Sequence, residues 1–217
     1  MVAKDMGVSK RSGGLGELRD LNKLGGNLEI MNLRYVKNPA SEFEAANLKE
    51  KQRLQSLTLS WKLGSRYDNN SDGGPDDVEN DEEMSLEELR PHINLKWLIV
   101  FWQEVIGGHT EDEDFGVTIY LFLFFDFPSQ LKILQIENIE DLEFLPEELL
   151  TNLTSLHRLY IRYCSRITKV SSALRHLTSL EKLVFLACEE LDLSDSKDHS
   201  DMRWQYLRSL RELQLIN

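Results

Sequence analysis

The hydrophobic positions of this chain repeat with a spacing that a single helix does not produce. Seven segments share the pattern L-x-x-L-x-L, in which Ile, Val or Phe can replace a leucine, and they begin at residues 25, 54, 95, 131, 156, 180 and 210. Gly25 opens the first copy. An amphipathic helix would place apolar residues at i, i+3, i+4 and i+7. Because the pattern returns seven times, we interpret it as a structural repeat, with amphipathic helices as the alternative.

Each copy predicts one short strand. The L-x-L centre sends its leucines into the interior, while the residues between them face solvent. One such unit cannot bury its own apolar face, so neighbouring units must stack. The copies at 156 and 180 are 24 residues apart, within the period of leucine-rich repeats. The predicted fold is α/β: a leucine-rich-repeat solenoid of about seven repeats, with a parallel concave sheet, an irregular or short-helical convex side and no clear terminal caps.

The segments outside the predicted strands differ in character. We expect residues 1–14 to be a flexible segment and 15–217 to form the repeat domain. Residues 41–53 carry helix formers after Pro39 and predict a helix, and 146–155 and 170–179 predict short helical turns. Residues 64–84 predict a solvated acidic loop, with an interaction site as the alternative. Residues 103–127 break the pattern and predict an irregular insertion or, alternatively, a mistranslated exon junction.

Composition and charge narrow the class. The chain has 217 residues, of which 37 are leucine and six alanine, an excess that the repeat explains. The net charge is −12, but residues 68–88 hold ten acidic and no basic side chains. The rest is nearly neutral, which argues against nucleic-acid binding. The longest apolar run, 117–125, is about half of the ~20 residues that a membrane-spanning helix needs.

The two cysteines close the copies that begin at 156 and 180. Stacked repeats would bring Cys164 and Cys188 to about 5 Å from each other, so a disulfide is geometrically possible. Two cysteines do not make a disulfide framework, and we expect a cytoplasmic protein with two buried thiols. The chain shows no catalytic, nucleotide-binding or metal-ligand motif. We therefore expect no enzyme activity and no cofactor.

Aromatic and basic residues at non-leucine strand positions give the candidate site. Apolar aromatics at exposed positions mark partner contact, and Trp, Tyr and Arg dominate binding hot spots. For Trp61 and Trp102 the alternative is additional core under the long segments that follow them. A basic cluster of Arg158, Arg162, Arg166 and Lys169 could meet an acidic partner or the protein's own acidic loop. The candidate partner-binding residues are Trp61, Trp97, Phe101, Trp102, His157, Arg158, Tyr160, Arg162 and Tyr163.

Several blocks carry a more specific resemblance. Residues 14–33 (GLGELRDLNKLGGNLEIMNL), 44–61 (EAANLKEKQRLQSLTLSW) and 86–100 (LEELRPHINLKWLIV) resemble the leucine-rich-repeat region of plant coiled-coil, nucleotide-binding disease-resistance proteins (NLRs). The later copies at 153–164 and 177–188 extend the resemblance. The chain departs from the family in lacking G-x-x-x-x-G-K-[ST], so no nucleotide switch is present. It begins within the repeats and stops on a predicted strand, and we expect a fragment or a truncated gene.

The resemblance implies a function that the spacing alone does not show. In such receptors the repeats sense a pathogen effector or a guarded host protein and restrain the nucleotide-binding switch. It implies a protein partner on the concave face, with the nucleotide-binding domain of the same receptor as a second candidate partner. The alternatives are a substrate-receptor arm of a ubiquitin ligase and a non-functional resistance-gene fragment.

Overall fold

Seven β-strands, one from each predicted repeat, form the sheet of this protein. The structure is a computed structural model that describes residues 14–33, 36, 38–61, 86–102, 127–139, 142–145, 147–168, 172–192 and 206–217. Within those residues the strands are β1 (Gly25–Ile30), β2 (Arg53–Ser60), β3 (Trp97–Phe101), β4 (Ile133–Glu137), β5 (Arg158–Arg162), β6 (Lys182–Leu186) and β7 (Glu212–Ile216). They form one parallel sheet in the order β1 to β7. The predicted leucine-rich-repeat solenoid is confirmed.

The strand register explains why the leucines recur. Parallel pairing without a shift from β2 to β7 sets equivalent leucines side by side, and those on β2 to β6 are completely buried. Full burial of each such side chain contributes about 1.5–3 kcal/mol of hydrophobic stabilisation. The core is thus one continuous row rather than a central cluster. The aligned leucines are Leu57, Leu98, Leu134, Leu159, Leu183 and Leu213.

Short helices occupy part of the segments between strands. These are α1 (Pro39–Ala46), α2 (Glu147–Thr151) and the 3-10 helices Leu15–Leu18, Leu48–Glu50, Leu86–Leu89 and Ser172–His176. The prediction of one helix over 41–53 was wrong in its bounds. The helix begins at Pro39, because proline fits a first turn where no backbone donor is needed. It ends at Ala46, because Asn47 takes a left-handed conformation with φ 48°.

The strands end in two different ways at one register position, two residues beyond the last inward-facing strand residue. After β1, β4, β5 and β6 this position has a positive φ, at Asn32, Asn138, Tyr163 and Ala187. After β2 and β3 it is occupied by Trp61 and Trp102, neither of which has a positive φ. The backbone hydrogen bond at this position is the same in both kinds of ending: the Trp61 and Trp102 amides donate to the Phe101 and Glu137 carbonyl oxygens at 3.0 Å, and the Tyr163 amide donates to the Leu186 carbonyl oxygen at 2.7 Å.

The stack of Trp61 on Trp102 follows from this ending. Their ring centroids are 5.6 Å apart with an interplanar angle of 26°. Trp61 is 1% exposed and Trp102 is half-buried against the core. The segments that follow them, including the expected acidic loop 64–84 and the insertion 103–127, lie outside the described residues except for Phe127. The same holds for the expected flexible segment 1–14, apart from Gly14.

One lysine belongs to the core. Lys51, just before β2, is completely buried, and its Nζ donates a 2.6 Å hydrogen bond to the Leu18 carbonyl oxygen. Burial lowers the pKa of Lys51, and the carboxylate of Asp20 opposes that shift. The bond joins the 3-10 helix Leu15–Leu18 to the segment that leads into β2.

Candidate binding surface on the concave face

The residues that alternate with the buried leucines form the concave face of the sheet. Because neighbouring strands are in register, these residues lie in three rows that cross the strands. The first row is Asn27, Ser56, Trp97, Ile133, Arg158, Lys182 and Glu212. The second row is Glu29, Thr58, Ile99, Gln135, Tyr160, Val184 and Gln214. The third row is Ser60, Phe101, Glu137, Arg162, Leu186 and Ile216.

The centre of the concave face is apolar. All three concave residues of β3 are apolar: Trp97 is 42% exposed, and Ile99 and Phe101 are half-buried. Ile133 on β4 pairs with Trp97 and continues this apolar patch. Trp97 and Phe101 were predicted from the sequence, whereas Ile99 and Ile133 were not. The period of two residues could have found them, since Ile99 follows Trp97 by two positions on the same strand.

A charged network lies beside the apolar patch, on β4 and β5. Glu137 Oε1 accepts hydrogen bonds from Arg162 Nη1 at 3.1 Å and from Gln135 Nε2 at 2.8 Å. The guanidinium carbon of Arg162 lies 5.0 Å from the ring centroid of Tyr160, within the range of a cation–π contact. Tyr160 and Arg162, which the sequence selected, are therefore held together. Glu137 and Gln135 were not expected.

A second network of the same kind joins β6 and β7. Glu212 Oε1 accepts hydrogen bonds from Lys182 Nζ at 2.7 Å and from Gln214 Nε2 at 2.6 Å. In both networks a glutamate binds a cation from the preceding or following strand and a glutamine two residues away on its own strand. Lys182, Glu212 and Gln214 were not predicted from the sequence, because their pairing depends on the register of β6 against β7.

Other candidate residues occupy different environments. His157, one residue before β5, is half-buried, and its Nδ1 donates to the Ser155 carbonyl oxygen at 2.7 Å. Tyr163, one residue after β5, is 50% exposed and has a φ of 54°. Trp61 is a correction: it lies in the core instead of on the accessible face, and its indole Nε1 has no hydrogen-bond partner among the described residues. The alternative of additional core applies to it and, in part, to Trp102.

Two members of the expected basic cluster form ion pairs with glutamates. Arg162 pairs with Glu137, and Arg166 Nη2 lies 3.1 Å from Glu143 Oε1. Lys169 lies outside the described residues. Arg158 is exposed and makes no ion pair with any described side chain. The only member of the cluster described as unpaired is therefore Arg158.

The cysteines are two buried free thiols, as expected. The Cys164 thiol donates to the Arg162 carbonyl oxygen at 3.4 Å. Burial raises the pKa of Cys164 to about 12 and also raises the pKa of Cys188. Among the described residues, no three His, Cys, Asp or Glu side chains are grouped so that they could hold a metal ion. In the same part of the chain, no helix is both long enough and apolar enough to cross a membrane.

The fold and this surface together define a class of protein: a leucine-rich-repeat solenoid that presents variable side chains on one face of a parallel sheet. Comparison with known proteins refines the class. Residues 15–110 match the family model described as R13L1/DRL21 LRRs. That part of the chain is similar to this family of leucine-rich repeats. The match includes Trp97 and Phe101 and ends before β4.

Two curated relatives from Solanum bulbocastanum carry related repeats. The chain is 44% identical over 90 residues to the "Putative disease resistance protein RGA4" and 41% identical over 87 residues to the "Disease resistance protein RGA2". The matches cover 42% and 40% of this chain but 8% of each relative, so the chain spans a small part of their length. The resemblance seen in the sequence is confirmed over these residues: they are similar to leucine-rich repeats of plant disease-resistance proteins.

Proposed function

We propose that this chain is the recognition module of a cytoplasmic plant immune receptor and that a protein partner docks on its concave face. The observation that carries the proposal is the apolar patch of Trp97, Ile99, Phe101 and Ile133 beside the tethered pair Tyr160 and Arg162. An exposed tryptophan next to an aromatic–arginine pair has the composition of a binding hot spot. The names of the relatives favour a role in disease resistance over a ubiquitin-ligase arm.

The geometry favours binding because much of the surface is already ordered. Arg162 is held by Glu137 and by the ring of Tyr160, so its side chain loses little freedom when a partner docks. The patch residues lie on strands, whose backbone is fixed by pairing on both sides. A partner would bury Trp97 as an apolar anchor and use Arg162 and Tyr160 to set orientation.

In a full-length receptor, docking on this face would be coupled to the nucleotide-binding switch. The partner would be a pathogen effector or a guarded host protein. The receptor's own nucleotide-binding domain is a second candidate, and would occupy the same face in the resting state. Both would contact the apolar patch and would therefore compete for it. Binding of the partner would displace the nucleotide-binding domain and so release the switch.

Site-specific cross-linking tests the proposal. The photoreactive residue p-benzoylphenylalanine is placed at Tyr160, on the concave face, or at Phe144, which is 57% exposed between β4 and α2. After illumination in plant leaf extract, we expect a discrete adduct from position 160. An excess of protein without the photoreactive residue should prevent this adduct, whereas an excess of the Trp97→Ala variant should not. Equal adducts from position 144, or displacement by Trp97→Ala, would contradict docking on the concave face. Purified nucleotide-binding domain added to the same assay tests the second partner.

A further inference from the structure

Three cations stand on consecutive strands at the edge where the strands begin. Lys96 and Lys132 come one residue before β3 and β4, and Arg158 is the first residue of β5. Their backbones are directly joined: the Lys132 amide donates to the Lys96 carbonyl oxygen at 2.9 Å, and the Arg158 amide to the Lys132 carbonyl oxygen at 3.0 Å. We call these three residues the basic edge. Neighbouring strands lie about 4.8 Å apart, so the basic edge spans ~10 Å.

The basic edge has no acidic counterpart on the described protein. None of its three side chains forms an ion pair with a described residue, whereas Arg162, Arg166, Arg175 and Lys182 each have a glutamate partner. The chain as a whole has 37 acidic against 25 basic side chains. Like charges on adjacent strands are destabilising. Lys96 and Lys132 lie directly opposite each other and therefore carry a cost that an anionic group bound at the basic edge would relieve.

The basic edge also runs along the apolar patch. Lys96 is followed directly by Trp97 and Lys132 by Ile133, and Trp97 and Ile133 pair in register. Arg158 stands next to Ile133 in the same row. Positive charge thus borders the apolar patch on β3 and β4, and on β5 Arg158 follows Ile133 in the row of the patch.

We propose that the concave face binds an acidic peptide segment that carries aromatic or aliphatic side chains, with its carboxylates on the basic edge and its apolar side chains on the patch. The proposal rests on the proposed function and specifies the partner's chemistry. About three extended residues span the ~10 Å of the basic edge, so the recognised segment is short. The charge complementarity sets position along the face, and the apolar contacts supply the buried area.

A protein segment fits this surface better than a nucleic acid. Binding of a phosphate backbone requires a basic track on a protein with a positive field, and this chain has a net charge of −12. The basic edge is limited to three strands, because Lys182, which pairs in register with Arg158 on β6, already binds Glu212. Trp97 and Ile133 offer apolar contact that carboxylate-bearing peptides can fill with their neighbouring side chains.

The test uses fluorescence anisotropy with a labelled random copolymer of Glu and Tyr as the probe, against polyglutamate, a Lys–Tyr copolymer and oligothymidylate. We expect the Glu–Tyr copolymer to bind tightest and its affinity to fall with salt. The double variant Lys132→Glu/Arg158→Glu should weaken it by at least about tenfold. The matched control Arg19→Glu/Lys49→Glu removes two exposed cations that lie outside the sheet, and it should change affinity little. Circular dichroism confirms that each variant is folded.

Three results would overturn the proposal: equal weakening by the control pair, equal binding of the Lys–Tyr copolymer, or tighter binding of oligothymidylate. A second variant, Lys132→Gln/Arg158→Gln, removes the two charges without reversing them. Its affinity for the Glu–Tyr copolymer should depend less on salt. The cross-link from position 160 distinguishes docking on the concave face from the acidic chemistry of the partner. If that adduct survives the Lys132→Glu/Arg158→Glu exchange, docking on the concave face stands and the acidic partner is wrong.

Discussion

The ends of β2 and β3 differ from the ends of β5 and β6, although all four belong to the same repeat. After β2 and β3 the inward–outward alternation continues for two more residues, and Trp61 and Trp102 pack against the core and each other. After β5 and β6 the chain takes a left-handed turn at Tyr163 and Ala187. The same register position therefore buries an aromatic ring in one region and exposes one in the other.

This difference shows that backbone conformation, and not residue type, decides which aromatics can meet a partner. Trp61 is 1% exposed and Tyr163 is 50% exposed, and both stand two residues after the last inward residue of their strand. For a residue with a side chain, the left-handed region costs about 1–2 kcal/mol. The strand ends after β5 and β6 carry this cost, and with this conformation the Tyr163 ring is exposed next to Arg162.

The largest effect is expected at the tryptophan stack. Trp61→Ala should lower the free energy of unfolding by about 3–5 kcal/mol, because it removes a fully buried ring from the core. Urea denaturation followed by circular dichroism measures the change. Trp97→Ala is the control: its ring is 42% exposed, and we expect a loss below about 1 kcal/mol. Similar losses in the two variants would contradict the assignment of Trp61 to the core and Trp97 to the surface.

Thiol labelling tests whether the region of β5 and β6 stays closed. Because the pKa of Cys164 is raised to about 12, its thiolate fraction at pH 8 is about a thousandfold below that of an ordinary thiol. Alkylation of Cys164 in the folded protein should be slower by at least that factor than in urea. Mass spectrometry after timed quenching gives both rates. Rapid labelling without denaturant would mean that these strands open locally.

Replacing the left-handed aromatic should sharpen the comparison of strand ends. Tyr163→Asn should raise the free energy of unfolding by about 1 kcal/mol, because Asn tolerates a positive φ and already occupies this position after β1 and β4. Trp102→Asn, at the equivalent position after β3, should be destabilising, since it removes the stack without relieving strain. Thermal melts of both variants provide the measurement. A higher melting temperature in both variants would show that the two kinds of strand end are equivalent.

The smallest effect is expected at an exposed ion pair on the convex side. Glu147 Oε1 lies 2.6 Å from Arg175 Nη2 and 3.0 Å from His176 Nε2, and joins α2 to the 3-10 helix Ser172–His176. The hydrogen bonds from His176 and Arg175 lower the pKa of Glu147. A carboxyl with a lowered folded-state pKa adds stability above its ordinary value of 4.5, and this is lost as the pH falls through the folded-state pKa.

We therefore expect Glu147→Gln to lower the melting temperature slightly at neutral pH and to match the parent protein in strong acid. Melting curves taken at intervals from pH 7 to pH 2 test the convergence. A difference that persists at the lowest pH would mean that the substitution acts through packing and not through charge.

Much of the fold could be predicted because its determinants are local. The spacing of Leu156, Leu159 and Ile161 predicts one inward-facing strand, and six further copies of the pattern predict the stack. The closeness of Tyr160 and Arg162 was also predictable, since residues two apart on a strand share a face. Ile99 and Ile133 follow from the same rule and were missed because the search was limited to aromatic and basic residues.

The remaining features depend on distant parts of the chain. The ion pair of Arg162 with Glu137 joins residues 25 positions apart and requires the register of β4 against β5. The early end of α1 depends on the turn at Asn47, which local propensity over 41–53 did not indicate. That no described carboxylate pairs with Lys96, Lys132 or Arg158 follows from the positions of strands that are far apart in the sequence.

The sequence by itself determined the repeat, the parallel strands and the row of buried leucines, because an apolar period that returns seven times can be buried only by stacking. Which aromatics are accessible, and which cations pair with a carboxylate among the described residues, depends on the folded chain. The reason is physical: inward and outward are set by alternation only while the strand continues. Beyond its last residue, the sign of φ selects the face: φ is positive at Tyr163, whose ring is exposed, and is not positive at Trp61, whose ring is buried.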